Sequence, residues 1–74
     1  MSYEKINSEK IGSRIKDLRT ERGETTEDMA REIGITASAV TMYERGFRIP
    51  RDEIKIKISE HFGVPVESIF FATV

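Results

Sequence analysis

Cysteine and tryptophan are absent from this 74-residue chain, proline occurs only twice, and there is no long apolar run. Without cysteine there can be neither disulfides nor thiolate metal sites, which fits a reducing interior. No apolar stretch approaches the roughly 20 residues that a bilayer span requires. The opening residues, MSYEKINSEK, are polar and do not read as a secretory signal. A cytoplasmic globular protein is expected. An excess of one charge is also lacking: 12 basic side chains face 13 acidic ones, a net charge of −1. Such a balance argues against coating nucleic acid without regard to sequence. No Ser/His/Asp set, glycine-rich phosphate loop or carboxylate pair at working spacing occurs, so neither an enzyme nor a cofactor is expected. His61 is the only histidine. With no cysteine beside it, it predicts no metal site, and it is expected on the surface at a helix C-terminus, where a proton suits the helix dipole.

The length implies a single domain over residues 1–74. A chain this short buries about 60–65 % of its unfolded surface, so its core must be efficient or a second copy must add to it. What is present is helical patterning. The run from Thr25 to Glu44, TTEDMAREIGITASAVTMYE, reads as two short amphipathic helices joined at Gly34. Thr25 is a cap, and Asp28, three positions on, can reach back to the free N–H groups of the helix start. Met29, Ala30 and Ile33 share one helical face. Gly34 can take the positive φ of a sharp helix exit. Ile35 points inward, and Thr36 caps a second helix whose Val40 and Tyr43 face the core. Residues 25–44 thus form a helix-turn-helix that offers the outer face of its second helix to a partner.

The rest of the chain supplies three more helices. Residues 1–6 read as a flexible arm, and Asn7 or Ser8 caps a first helix running to about Arg22. With Asn7 as cap, Ile6 and Ile11 fall at hydrophobic-staple positions. Ile11, Ile15 and Leu18 form its stripe, and Gly23 ends it. Gly46 closes the third helix. Phe47 to Pro50 is a loop, and Pro50 and Arg51 open a fourth helix that runs to Phe62 and ends at Gly63. The alternation Ile54-Lys55-Ile56-Lys57-Ile58 imitates a strand, but nothing else in the chain could pair with one. On a helix, Ile54, Ile58 and Phe62 share a face while Ile56 points elsewhere. A short fifth helix and tail occupy 64–74, with Pro65 in the first turn and Val66, Ile69 and Phe70 apolar. Phe70 and Phe71 cannot both enter one small core easily. One of them, with Ile56 or Val66, is expected at a homodimer interface.

Charge is unevenly spread. From Ala37 to Arg51 three arginines (Arg45, Arg48, Arg51) meet one acid, Glu44, while acids gather at 24–32 and 52–67. A chain with little net charge can therefore still present a basic face to phosphate.

Ala30, Gly34, Ile35, Val40 and Tyr43 stand in a familiar register. Glu44 and Arg45-Gly46-Phe47-Arg48-Ile49-Pro50 follow as an E-x-G-x-R-x-P loop, then Phe62-Gly63-Val64 and Ile69-Phe70. From about Ile11 to Phe70 the chain resembles the phage-repressor/Cro-type helix-turn-helix family, also called the Xre family. The resemblance implies an all-α, compact five-helix lambda-repressor-like domain that binds double-stranded DNA. It further implies a homodimer acting as a transcriptional repressor or regulator of prokaryotic or phage type. The third helix would lie in the major groove of a palindromic operator. Base contacts would come from Ala37, Ser38, Thr41 and Met42, which lie away from Val40 and Tyr43. Many relatives carry a glutamine near the start of this helix, suited to adenine; Ala37 can only touch a thymine methyl, and Ser38 discriminates poorly. Shape readout is then expected to carry more of the specificity.

Backbone contacts are expected from Thr26, where relatives often have a glutamine, and from Thr36, Arg45 and Arg48. Capping is the competing role for both threonines, and a solvated loop the competing role for both arginines. Arg51 is set apart by Asp52 and Glu53, which can pair with it. Phe47 fits either the DNA or a contact across the dimer. By the same resemblance, Arg19 and Glu44 match an ion pair that orients the third helix. An antirepressor or other regulatory protein is a candidate second partner. The rival reading is a protein-interaction module, such as the antitoxin of a toxin–antitoxin pair.

Overall fold

A computed structural model describes residues 3–71, with side chains from residue 8 onward. Five helical elements follow one another: α1 (Tyr3–Glu21), α2 (Thr26–Ile33), α3 (Ala37–Glu44), α4 (Asp52–Phe62) and α5, a π-helical turn over Glu67–Phe71. No strand occurs among the described residues. The alternating isoleucines lie on α4, with Ile58 buried, Ile54 partly so, and Ile56 half exposed at 50 %.

Local sequence explains where the helices stop and start. Thr25 Oγ1 accepts from Asp28 N–H at 3.0 Å while Asp28 Oδ2 accepts from Thr25 N–H at 3.1 Å, a reciprocal cap that satisfies two otherwise orphaned donors. Gly34, at φ +85°, turns the chain out of α2 into the left-handed region where a Cβ would be strained. Its N–H and that of Ile35 both donate to Ala30 O, at 2.8 and 3.0 Å. Thr36 then caps α3 by accepting from Ala39 N–H at 3.0 Å. Helix α4 begins one or two residues later than the Pro50-Arg51 signal suggests: Pro50 is buried in the loop, and Arg51 is an N-cap whose side chain makes no capping bond. Asp52 and Glu53 fill the first turn, where carboxylates suit the dipole.

Ile11, Ile15, Met29, Ala30, Ile33, Val40, Tyr43, Ile58, Phe62, Ile69 and Phe70 form one core, with Leu18, Ile35, Ile54, Val64 and Val66 packed at its edge. Helix α1 lies against α3 and α5, and α2 against α3 and α4.

Three expectations are corrected. The cap signals at Asn7 and Ser8 are overridden, because α1 begins at Tyr3 and residues 3–6 of the expected arm are helical. Glu4 and Lys5 are good helix formers, and an asparagine inside a helix costs only about 0.7 kcal/mol, too little to halt it. Met1, Ser2 and the Ile6 staple contact lie outside the described residues, as do Ala72, Thr73 and Val74 of the tail. Second, Phe70 is a core residue, 4 % exposed, which removes it from the expected dimer face; Phe71, 59 % exposed, takes the surface position. Third, His61 is not a surface side chain. It is enclosed, with Nε2 2.9 Å from the Glu24 carboxylate. Arg22 closes the same cluster, donating to Glu24 Oε2 at 3.2 Å and to His61 O at 3.0 Å, so the α1–α2 turn is tied to the end of α4.

Candidate nucleic-acid interface

The α2–turn–α3 unit turns the outer side of α3 to solvent. Val40 and Tyr43 are buried beneath it. Ser38 is exposed on the opposite side, Thr41 and Met42 are partly exposed, and Arg45 follows one turn beyond Thr41 on the same face. Ala37 sits at the flank: it packs partly against the core, so only part of its methyl group faces outward. Within α3 neither the first turn nor the last carries an acid that is free, since Glu44 is occupied elsewhere.

Its occupant is Arg19. Arg19 Nε donates to Glu44 Oε2 at 2.6 Å and Nη2 to Oε1 at 3.1 Å, a bidentate fork with both side chains largely enclosed. The third nitrogen, Nη1, donates to Glu24 O at 2.7 Å. The carboxylate of Glu44 raises the Arg19 pKa further above its ordinary value, despite the opposing effect of burial. The guanidinium therefore stays charged, and it locks the end of α3 to α1 and to the start of the helix-turn-helix.

Close backbone contact seats α3 as well. Gly12, buried in α1, faces the last turn of α3. A Cβ there would fall 2.5 Å from Tyr43 O and closer still to Glu44 O. A glycine inside a helix ordinarily costs about 1 kcal/mol relative to alanine. Here only a hydrogen fits between the two main chains. Nothing in the local pattern singles out Gly12, because its role depends on a segment some thirty residues away.

The candidate phosphate-binding groups divide into two environments. At the start of α3, Thr36 Oγ1 accepts from Ala39 N–H, which leaves the hydroxyl proton able to donate to a ligand. No acid occupies that first turn. At the start of α2, Thr26 already donates to Glu27 Oε1 at 3.3 Å, and Asp28 lies beside it. The Asp28 carboxyl is held below its ordinary pKa, chiefly by the Thr25 backbone N–H and then by Arg31 at 2.8 Å. Two carboxylates thus precede any phosphate approaching Thr26.

After α3 the loop carries Arg45 and Arg48, both exposed and, among the described residues, in no ion pair. Arg51 makes no pair with Asp52 or Glu53; Asp52 instead reaches Lys55 at 3.5 Å. Ile56, Val66 and Phe71 line a shallow groove between α4 and α5 with Asp52 and Lys55. The Lys55 ammonium lies 5.2 Å from the centre of the Phe71 ring. No helix among the described residues is long and apolar enough to cross a membrane.

Comparison with known proteins places these elements in a wider set. A helix-turn-helix family pattern matches residues 15–69, which spans α2, α3 and α4 whole. Over 59 residues the chain is 35 % identical to the cryptic phage CTXphi transcriptional repressor RstR of Vibrio cholerae, covering 80 % of this chain and 53 % of that one. Over 58 residues it is 31 % identical to an uncharacterised HTH-type transcriptional regulator of Methanocaldococcus jannaschii, covering 78 % of this chain and 88 % of that one. The chain therefore spans only about half the length of the phage repressor it matches.

Proposed function

Because this chain belongs to the Cro/C1-type helix-turn-helix family of DNA-binding transcription regulators, we propose that it is a cytoplasmic, sequence-specific repressor that binds a palindromic operator as a homodimer. The observation that carries this reading is the outer face of α3. It offers Ser38, Thr41 and Met42 above a buried Val40 and Tyr43, runs into unpaired Arg45 and Arg48, and has its only acid neutralised by Arg19. Such a face suits the major groove, with polar and methyl groups over base edges and guanidinium groups beside phosphates. Few hydrogen-bonding side chains reach the bases, so DNA shape carries part of the choice. Ala37 offers a methyl contact from the flank. Thr36 is the better placed of the two threonines to hold a phosphate, and Thr26 contributes less because Glu27 and Asp28 surround it.

Two copies join through the exposed Ile56 and Phe71, with the partly buried Val66 between them on the α4–α5 side. Their half-sites then fall about 34–36 Å apart on the duplex. A protein that competes for either surface would act as an antirepressor. Selection of bound sequences from random DNA tests the reading. Ser38→Ala should alter the preferred sequence, whereas Arg48→Ala should weaken binding to all sequences alike. No enrichment of any sequence, with the wild-type chain folded, would remove the repressor assignment. Sedimentation at tens of micromolar should show a dimer; a monomer alone would remove the α4–α5 interface.

A further inference from the structure

The loop after α3 exposes a large aromatic side chain that neither the core nor the dimer groove uses. Phe47 is 64 % exposed, the most exposed large apolar residue described. Its main chain is nevertheless held firmly. Phe47 N–H donates to Met42 O at 3.0 Å, Arg45 N–H donates back to Thr41 O at 3.0 Å, and Gly46, at φ +77°, rests against Ser8 and Glu9 of α1. The ring is thus presented from a fixed support. The Arg45 guanidinium carbon lies over it, 5.4 Å from its centre. A guanidinium stacked on a ring keeps its N–H edges free for hydrogen bonds.

We infer that Phe47 belongs to the DNA-facing surface. Its ring positions the Arg45 guanidinium beside the end of α3, and its outer edge lies against the sugar–phosphate strand that Arg45 and Arg48 engage. This rests on the DNA-binding reading above. Three observations separate DNA from a second copy of the chain as the occupant. Arg45 lies over the ring and Arg48 follows Phe47 in the chain, both exposed, so two copies meeting here would bring their arginines together. Of the acids near the loop, Glu44 is spent on Arg19, which leaves Glu9 of α1, beside Gly46, against two arginines. The main chain of Phe47 is also tied to the last turn of α3, its N–H donating to Met42 O at 3.0 Å, so the ring is held beside the helix that the reading above seats on a duplex.

The test is a coupling experiment by fluorescence anisotropy, using an end-labelled duplex of the sequence most enriched in the selection described above, at low salt and in a salt series. Phe47→Ala should lower affinity about five- to tenfold while leaving thermal unfolding unchanged, because the side chain is exposed. Phe47→Trp should restore affinity to within about twofold, and Phe47→Leu should not, because only an aromatic face holds the guanidinium. Arg45→Ala should reduce the slope of log affinity against log salt by about one contact, and Phe47→Ala added to it should cost less than about twofold more. Equal affinity for wild type and Phe47→Ala would overturn the inference, as would additive losses in the double variant. So would a Phe47→Ala protein that binds normally but dissociates to monomer, which would assign the ring to a second copy. If the wild-type chain failed to bind the duplex at low salt, the DNA-binding reading itself would fall, an outcome visible before any variant is compared.

Discussion

Helices α2 and α3 are matched in size, eight residues each, and each starts on a threonine whose hydroxyl accepts from the third amide of the helix. They differ in what surrounds that start. Helix α2 has Glu27 and Asp28 in its first turn, Arg31 in its last, and three buried residues against the core. Helix α3 has no acid in its first turn, no base in its last, and only Val40 and Tyr43 buried. The first helix answers its own dipole with its own charges; the second leaves its dipole open at the N-terminus, where an external anion can answer it. Electrostatics alone therefore separates the two helices: α2 is neutralised by its own charges, and α3 is not.

The largest expected effect comes from releasing α3. Glu44→Ala would leave Arg19 charged and largely enclosed with no carboxylate partner, only the Glu24 carbonyl, and should cost about 3–5 kcal/mol in denaturant unfolding. It should also blur readout, since the end of α3 is no longer fixed. Next is Gly12→Ala. The added methyl group meets main-chain carbonyls that cannot rotate away, so α1 and α3 must part, at a cost of about 1–3 kcal/mol. The change is measurable as a lower midpoint at unchanged slope.

The two caps give a direct comparison. Thr25→Ala and Thr36→Ala should each cost about 1 kcal/mol of stability. If α3 is the phosphate-facing start, only Thr36→Ala should also weaken DNA binding under conditions where both variants are folded. Equal losses of binding would erase the distinction between the helices. The smallest effect is that of acid on α2. Asp28 has a folded pKa below its ordinary value, so its contribution is present above the unfolded carboxylate pKa, near 3.9. It is lost as pH falls through the lower folded value. Asp28→Asn should flatten the acid limb of a stability–pH curve in that window.

Much of this division was legible in the sequence, because caps and helix exits are local. Thr25 with Asp28, Thr36 and Gly34 each act through neighbours within four residues, and the structure uses each as its type predicts. The periodicity of Met29, Ala30 and Ile33 and of Val40 and Tyr43 is equally local, and all five are buried. What could not be read depends on distant partners. The closeness of Gly12 to Tyr43, the enclosure of His61 by Glu24, and the choice of Phe70 over Phe71 for the core each need the packed arrangement. The start of α1 departs from the sequence expectation for the opposite reason. The cap types at Asn7 and Ser8 do not halt a helix that already runs through Glu4 and Lys5, because an interior asparagine or serine costs it little.

The contact at Gly12 bears on how such a protein can change. The stop against which α3 rests is main chain on both sides, and main chain keeps its position whichever residues decorate the outer surface. Ser38, Thr41 and Met42 lie on the far side of α3 from that stop, so exchanging them leaves the seat of the helix on α1 untouched. On the DNA-binding reading proposed above, a new target sequence would then need only a few altered outward side chains, with no re-engineering of the frame that carries them.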